Sequence, residues 1–520
     1  MLLDSVRSIL ARPAPPPRAP VDVSPSRYER HEGIHVLRLE GTDYEMGYQH
    51  GVLLKDAIAR GPLPYFGNFL DRVVARSFGL VGRPVARLAG IGLGETVGRR
   101  IAARFPAFVR ESLDGLADGA GIPRADLLRA VTMPETYLFV LGQVIAHRKY
   151  APAPRFGVPL LGCTSVVAWG DATTDGALLH GRNFDYQGVG AWDTEPCVVF
   201  HRPKDGQRYV AISAAGVLLG GVTAMNASGL SMVVHQHLAS IDFDLGGLPV
   251  GVVGDRIMRH ARSLDDARRL LDDHVPNGGW TYIVTSAKEK NVLCYEVSAK
   301  RRAAFHPEGD TFGYTNMYLS KAFEGTEVYA YPAQWHHNAG RYHRAKELLA
   351  AHRGAIDADK IASFLGDIGD ARCRFQSAIS VLQTVASVVF APGAGRVYVA
   401  TGRAPVANQP YAAFDLDGER PRPDVPKLSG GTAIPEPARA AFDAYRAAYE
   451  AYFNDDDLET ARRLVARARD AQPEQAVYAF VAGALALAAG DAGAAKAAFD
   501  RAIDLGHVVP ERRASFHLWR

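Results

Sequence analysis

The chain has 520 residues, of which 48% are hydrophobic and 22% are charged. These proportions are typical of folded globular proteins and exclude wholesale disorder. At roughly 100 to 200 residues per domain, the length predicts two to four structural units. The formal net charge is +3, and no long stretch gathers Lys and Arg without acids. Nucleic acid is therefore excluded as the expected partner, because binding its backbone needs a concentrated basic face.

Three features favour a cytoplasmic protein. The first residues, MLLDSVRSILAR, are broken by charges and lack the apolar run of a signal peptide. The uncharged stretch 209–241 is interrupted by glycine, asparagine and histidine at turn spacing, so it predicts buried strands and no transmembrane segment. The cysteines are too widely spaced for a disulfide framework, which indicates a reducing compartment. They are Cys163, Cys197, Cys294 and Cys373.

Composition divides the chain into five expected parts. They are a Pro-rich flexible leader at 1–30, a mainly helical segment at 31–162, a catalytic core at 163–415, a linker at 416–436 and helical repeats at 437–520. The helical segment starts strand-like and turns helical after Gly41. From Cys163 onward the pattern changes to period two, which predicts strand, turn and strand and an α+β fold with antiparallel sheets.

The last part contains an internal repeat. The segment from Asp457, DLETARRLVARARD, matches DAGAAKAAFDRAID from Asp491 at an offset of 34 residues. That period is typical of tetratricopeptide (TPR) repeats, each a pair of helices. Two repeats are few for an independent solenoid, so we expect them to dock on the catalytic body or on a protein partner. An Ala-rich helical hairpin that serves only packing remains the alternative.

The run VPLLGCTSVVAWGD indicates a self-cleaving nucleophile. A thiol within a chain can attack the carbonyl group before it, and Gly162 suits that attack because it lacks Cβ and tolerates close approach. Cleavage would free the α-amino group of Cys163. Such an amine titrates near 7.7 to 8.0, close to the thiol, and can accept the thiol proton directly. A buried cysteine with no chemical role is the plainer alternative.

Polar residues follow the strands around this cysteine. Arg182 and Asp185 in GRNFDY fall on the return strand, where they can orient the free amine, although a structural ion pair would also explain them. His235 ends the strand of TAMNASGLSMVVHQH. Asn316 ends the strand of FGYTNMY, where its amide can donate to the oxyanion of a tetrahedral intermediate.

With these motifs in order, the sequence resembles the self-processing N-terminal-nucleophile (Ntn) hydrolases of the penicillin acyltransferase type, peptidase family C45. That family is related to choloylglycine hydrolases and acid ceramidase. The resemblance covers about residues 35 to 405 and rests on GTDYEMGYQHG, GCTS, HGRNFDY, MNASGLSM, YTNMY and TVASVVFAPGAGRVYVATGRAP. It implies an αββα four-layer sandwich, with Cys163 as nucleophile, Asp185 near its amine and Asn316 in the oxyanion hole.

The chain departs from the family pattern at three places. Arg182 fits the R-x-x-D arrangement of the bile-salt and ceramide branches, whereas penicillin acyltransferases carry Gln there. His235 falls where acyltransferase relatives carry Asn. An Arg that those relatives use before the last hairpin has no direct match, since this chain reads Val-Leu-Gln at 381–383. Arg372 and Arg374 are the candidate substitutes.

Two other types of site that use cysteine or histidine have less support in the sequence. A papain-like protease would pair Cys163 with His274, His306 or His343, but the C-G-S-C-W context of that class is missing. A metal site would use one of two histidine groups, but no carboxylate or cysteine completes either at ligand spacing. These groups are His235 with His237, and His336 with His337 and His343.

The sequence therefore predicts an autoproteolytic cysteine Ntn hydrolase or acyltransferase that cleaves between Gly162 and Cys163. It would act on linear amide or thioester bonds of a small-molecule substrate through an S-acyl-Cys163 intermediate, with no cofactor and no metal. A non-catalytic Ntn-like scaffold whose repeats bind a protein partner is the alternative function.

Overall fold

Two β-sheets form the centre of the protein. The computed structural model describes residues 21–24, 27–67, 88, 90–147, 162–237, 242–327, 332–369, 378–431, 434–506 and 510–520. The strands are β1 Tyr28–His31, β2 Ile34–Gly41, β3 Gly162–Gly170, β4 Gly176–Asp185, β5 Pro196–Pro203, β6 Tyr209–Ala214, β7 Thr223–Asn226, β8 Leu230–Gln236, β9 Trp280–Ser286, β10 Asn291–Val297, β11 Arg302–Phe305, β12 Thr311–Tyr314, β13 Thr384–Ala391, β14 Arg396–Ala400, β15 Tyr411–Asp415 and β16 Arg420–Pro421.

The helices cover the outer faces of the sheets and form the C-terminal region. They are α1 Asp43–Leu53, α2 Lys55–Arg60, α3 Pro62–Gly67, α4 Arg99–Ala102, α5 Ala107–Ala120, α6 Arg124–His147, α7 Val250–His260, α8 Leu264–Asp272, α9 Pro332–Ala351, α10 Ala358–Leu365, α11 Glu436–Phe453, α12 Leu458–Ala471, α13 Ala476–Ala488, α14 Ala492–Leu505 and α15 Pro510–Trp519.

The sheets are mostly antiparallel. A nine-stranded sheet has the order β1-β2-β5-β6-β7-β8-β9-β10-β11, and a seven-stranded sheet has the order β12-β3-β4-β13-β14-β15-β16. Strands β2 and β5 are parallel, and the hairpin predicted after Cys163 is present as β3 and β4. The mixed α+β class is confirmed.

Three apolar layers hold the sheets and helices together. Val167 of one sheet and Phe200 of the other belong to a buried cluster between the two sheets. Ile257 of α7 packs in a second cluster on the outer face of the nine-stranded sheet. Ile361 of α10 packs in a third cluster on the outer face of the seven-stranded sheet. The described elements are thus stacked as helix, sheet, sheet and helix.

The described residues before Cys163 are part of the same body. Strands β1 and β2 lie in the nine-stranded sheet, so β1 begins inside the segment predicted as leader, and residues 1–20 lie outside the described part. Helix α1 starts with a capping box of Thr42 and Glu45. It packs closely on α5, because a Cβ at Gly47 would lie 2.1 Å from the Ser112 carbonyl oxygen and one at Gly115 would lie 2.1 Å from that of Tyr44. Gly47 of GTDYEMGYQHG therefore serves helix packing.

The C-terminal region is helical, as predicted. Helices α12 and α14 start 34 residues apart, at Leu458 and Ala492, and each is capped by the aspartate before it. The assignment of these helices to TPR repeats remains a prediction. The segment predicted as a linker at 416–436 contains β16, which pairs with β15, so the sheet extends beyond the expected boundary. In the described part of the chain, no helix combines the length and apolarity that crossing a bilayer requires.

Candidate active site

Cys163 lies near the start of β3, directly opposite the return strand. In the β3–β4 ladder Cys163 pairs with Phe184, Gly162 with Asp185 and Ser165 with Arg182. The thiol is buried, with 4% of the residue exposed. The predicted hairpin therefore brings Arg182 and Asp185 next to the cysteine.

Arg182 contacts the sulfur itself. Its Nη2 lies 3.4 Å from Cys163 Sγ and also donates to the Val234 carbonyl at 3.1 Å. The guanidinium is stacked over the Phe184 ring at 4.7 Å. Burial raises the pKa of the Cys163 thiol, and the charge of Arg182 opposes that rise. In the uncleaved chain the thiol is thus held neutral beside a cation that would stabilise a thiolate.

Asn316 holds the backbone nitrogen that cleavage would convert into an amine. The N–H of Cys163 donates to Asn316 Oδ1 at 2.6 Å, and Asn316 Nδ2 donates to the Gln236 carbonyl at 2.9 Å. A side-chain amide carries two N–H bonds, so one remains for a further acceptor. The oxygen of Asn316 serves the α-nitrogen, whereas the sequence predicted a role for its nitrogen.

Among the described residues, one carboxylate oxygen of Asp185 accepts a hydrogen bond from a side chain and the other has no partner. Its Oδ1 accepts from Thr384 Oγ1 at 2.7 Å, and Oδ2 has no hydrogen-bond partner among the residues that the structure describes. Burial raises the pKa of Asp185 to about 6, against the lowering effects of Arg341, the Thr384 hydrogen bond and Arg182. Such a carboxyl group changes charge near neutral pH and can exchange a proton there.

Arg341 completes the site, and the sequence did not predict it. This arginine of α9 is fully buried, and its Nη1 donates to the Cys163 carbonyl at 2.6 Å. Its Nη2 donates to Asn316 Oδ1 at 3.2 Å and to Asn338 Oδ1 at 2.8 Å. The predicted substitutes, Arg372 and Arg374, lie outside the described residues. Helix α9 carries many polar residues, and such a composition predicts an exposed helix. The sequence therefore did not indicate that one face of α9 is buried.

The close contacts around Gly162 explain why this residue is a glycine. A Cβ at Gly162 would lie 2.8 Å from Arg341 Nη2 and 3.2 Å from Asp185 Oδ2. A side chain here would push these groups away from the peptide bond between Gly162 and Cys163. The absence of a Cβ thus allows the close approach of these charged groups.

Among the described contacts, no hydrogen bond joins His235 to the Cys163 thiol, and the catalytic role of His235 remains a prediction. Its neighbours Val234 and Gln236 line the cavity beside Cys163, and alternation along the strand directs His235 to the opposite face. There its Nε2 lies 2.7 Å from Ser165 Oγ, and its ring meets Tyr314 edge-on. Burial lowers the pKa of His235 well below its usual value, so the ring is neutral.

The histidines of the alternative chemistries also lie apart from the thiol in the described contacts. His274 packs on Tyr282, His306 Nδ1 bonds to the Val292 carbonyl, and His343 packs on Tyr342. A papain-like pairing therefore gains no support. Within the described ranges, no three side chains of His, Cys, Asp and Glu come together as a metal site would require.

An apolar cavity opens next to Cys163. Its empty volume is about 1020 Å³, a figure that includes space open to solvent. One wall comes from the first 162 residues, through Leu63 and Phe66 of α3 and Pro134 of α6, and the other from Trp192 and the region around α7. Cys163, Arg182, Asp185 and Asn316 all line this cavity.

Part of the chain that contains this site matches a known protein family. Residues 172–404 match the family described as acyl-coenzyme A:6-aminopenicillanic acid acyl-transferase. The resemblance to the penicillin acyltransferase type is confirmed. The matched region includes Arg182, Asp185, Asn316 and Arg341, and it begins after Cys163.

Two curated relatives are each 28% identical to the chain. An uncharacterized protein of Archaeoglobus fulgidus matches over 280 residues, which is 52% of this chain and 45% of that protein. Protein dcd1B of Dictyostelium discoideum matches over 183 residues, which is 33% of this chain and 32% of that protein. The chain thus spans less than half the length of either relative.

Two solved structures resemble the chain more distantly. One is a Caenorhabditis elegans N-acylethanolamine-hydrolyzing acid amidase ortholog, at 18% identity and a TM-score of 0.34, with 44% of this chain and 93% of that chain covered. The other is a mutant conjugated bile acid hydrolase from Clostridium perfringens, at 12% identity and a TM-score of 0.32, with 52% and 95% covered.

Proposed function

We propose that this protein cleaves its own chain between Gly162 and Cys163 and then hydrolyses or transfers acyl groups through an S-acyl-Cys163 intermediate. The observation that carries the proposal is the position of the Cys163 thiol. It lines an apolar cavity, contacts the Arg182 guanidinium at 3.4 Å, and its own backbone nitrogen is held by Asn316 at 2.6 Å. The match of residues 172–404 to an acyltransferase family supports the reaction class.

Self-cleavage would proceed through a thioester. Cys163 Sγ attacks the Gly162 carbonyl carbon as its proton passes to a base, for which the unpartnered Oδ2 of Asp185 is a candidate. The carbon–nitrogen bond then breaks, and the nitrogen of Cys163 takes up a proton. Water hydrolyses the thioester, which leaves a carboxylate on Gly162 and a free amine and thiol on Cys163.

Substrate turnover would use the new amine as the base. The amine accepts the thiol proton, and the sulfur attacks the acyl carbon of an amide or thioester. The remaining N–H of Asn316, with a backbone N–H, stabilises the oxyanion. The leaving amine or thiol takes the proton, and water or an acceptor amine releases the acyl group from sulfur. Arg182 stabilises the thiolate, while Asp185 and Arg341 fix the geometry of the residues that react.

Intact-protein mass spectrometry tests the proposal. The purified chain of 56.2 kDa should split into fragments of roughly 18 and 39 kDa, scaling mass by fragment length. Incubation with N-acyl amides and acyl thioesters should then add an acyl mass to the larger fragment. Cys163→Ala should abolish both events.

Two other cysteines provide matched controls. Cys197 and Cys294 are buried and free, and burial raises the pKa of each well above its usual value. Cys197→Ala and Cys294→Ala should retain cleavage and the acyl adduct. A wild-type chain that remains whole and acquires no adduct from any acyl donor would instead favour a non-catalytic scaffold.

A further inference from the structure

Besides Tyr186 and Trp192, two groups of polar residues line the largely apolar cavity beside Cys163. One group surrounds the thiol and was described above. The other consists of Glu135 on α6, Gln236 at the end of β8 and Trp280 at the start of β9, and all three line the cavity. We call these three residues the polar subsite.

The two strand residues of the polar subsite are direct neighbours. Gln236 pairs with Trp280 in the β8–β9 ladder, so their side chains extend from the same face of the sheet. They are 7% and 6% exposed. Neither Gln236 Oε1 nor Trp280 Nε1 has a hydrogen-bond partner within the described part of the chain. An unpaired buried acceptor and an unpaired buried donor therefore lie side by side at the cavity wall.

Glu135 adds a carboxyl group to the same region. It is 3% exposed, and burial raises its pKa to about 7, against hydrogen bonds from its own backbone N–H and that of Val250. Its charge also contributes to the raised pKa of Tyr282, two residues beyond Trp280 on the same face of β9. These two hydrogen bonds leave part of the acceptor capacity of the Glu135 carboxyl group unused, so it can also accept from a polar ligand.

These groups together favour one chemical class. Glu135 and Gln236 present acceptor oxygens, and Trp280 presents an indole N–H donor. A hydroxyl group can donate to one of the first two and accept from the third. An ammonium group can only donate, and a methyl group can do neither. We propose that the polar subsite binds a hydroxyl group on the part of the substrate that occupies the cavity, so that the preferred substrate is a hydroxylated aliphatic acyl compound.

The inference rests on the proposed acyl chemistry but is tested by binding alone. The full-length Cys163→Ala chain would be titrated calorimetrically with linear carboxamides of increasing chain length. Each length is used as the unsubstituted, the terminally hydroxylated and the terminally aminated amide. At one length the hydroxylated amide should bind at least about tenfold more tightly than the unsubstituted one, because a site built to hydrogen-bond a hydroxyl disfavours ligands that lack it.

Variants assign the preference to the polar subsite. Glu135→Leu in the same background should remove it, and Trp280→Phe should reduce it. Glu135→Gln keeps an acceptor oxygen and should retain most of the preference for the hydroxylated amide. This variant therefore distinguishes a loss of recognition from a loss of folding. The inference is overturned if no amide binds, if unsubstituted amides bind as tightly at every length, if the aminated series binds best, or if Glu135→Leu leaves the preference unchanged. Cleavage and adduct formation by the wild-type chain are measured separately, so failure of the thiol chemistry is distinguishable from failure of the polar subsite.

Discussion

The guanidinium of Arg341 donates to the carbonyl oxygen of Cys163 at 2.6 Å, from a helix 178 residues further along the chain. The same cation reaches Asn316 Oδ1, which accepts the N–H of Cys163. The carbonyl oxygen and the N–H of Cys163 are therefore both held in place, the first by Arg341 and the second by Asn316. Because Arg341 is fully buried, its removal would leave several acceptors without a donor.

Arg341→Lys should slow self-cleavage at least about tenfold, because an ammonium group cannot reproduce the planar fork that serves Cys163, Asn316 and Asn338 at once. The fraction of cleaved chain over time on a denaturing gel measures this. Arg344→Lys is the matched control, since Arg344 lies one turn further on α9 and pairs with Asp367 at a half-exposed position. Equal rates for the two variants would contradict the positioning role of Arg341.

Gly162→Ala should also impair cleavage, for a steric reason. The added Cβ would approach Arg341 Nη2 to 2.8 Å and Asp185 Oδ2 to 3.2 Å, so the charged groups around the scissile bond must move. Gly340→Ala, next to Arg341 on α9, adds a methyl group where no atom lies within 4 Å. That control should cleave normally and stabilise the helix by about 0.5–1 kcal/mol. Normal cleavage by Gly162→Ala would show that the close approach is unimportant.

The pH dependence of cleavage should report on Asp185. Its pKa is raised to about 6 by burial, against Arg341, Thr384 and Arg182, and the carboxylate is the form that can accept a proton. The rate should therefore rise about tenfold per pH unit below pH 6 and level off above it. Quenched time courses between pH 4.5 and pH 7.5 measure the profile. Asp185→Asn should be slow and lack the rise, whereas an unchanged profile in that variant would exclude Asp185 as the titrating group.

Local patterns predicted the residues that share one hairpin. Arg182 and Asp185 follow Cys163 closely in sequence, and the period-two alternation with a turn at Gly176 was enough to bring them together. Asn316 was identified because it ends a strand, and β12 does pair with β3 beside the cysteine. Such short-range signals depend on backbone periodicity, which the sequence shows directly.

Long-range packing was beyond these patterns. Arg341 reaches the site from a helix whose polar composition predicts exposure, and only the stacking of α9 on the seven-stranded sheet buries it. The sequence could not place His235 relative to the cavity, because a single strand does not indicate which of its two faces meets the cavity, and both faces of β8 are buried. Thr384 donates to Asp185, but the sequence did not indicate this role, because threonine is common in strands rich in β-branched residues.

Asn316→Asp should separate two functions of this residue. The substitution keeps an oxygen for the N–H of Cys163 and for Arg341, but it removes the amide donor. If the donor stabilises an oxyanion, acyl turnover should fall roughly 10²-fold while self-cleavage is less affected. Asn316→Ala loses both functions and should impair both reactions. Rates from single-turnover acylation and from gel-based cleavage supply the comparison, and equal losses in the two reactions of Asn316→Asp would contradict the division.

The C-terminal helices contact a loop that lines the cavity. Helix α11 reaches the segment between β4 and β5, where Asn454 Nδ2 donates to the Val189 carbonyl at 2.8 Å. Arg403 joins Asp193 at 2.8 Å and Glu450 of α11 at 2.5 Å. Trp192 of the same loop lines the cavity beside Cys163. Docking on the catalytic body, one of the two expected arrangements, is therefore present.

Deleting residues 437–520 should lower the thermal midpoint and reduce acyl turnover, because the loop that carries Trp192 would lose its support. Glu450→Ala combined with Asn454→Ala should reproduce part of the loss, with a decrease in stability of about 1–2 kcal/mol for the hydrogen bonds removed. Lys496→Ala is the control, since its exposed pair with Asp500 on α14 should contribute little to stability. Calorimetric melting and turnover are the measurements. A deletion that leaves both unchanged would mean that these helices act independently of the active site, as a module that recruits a protein partner would.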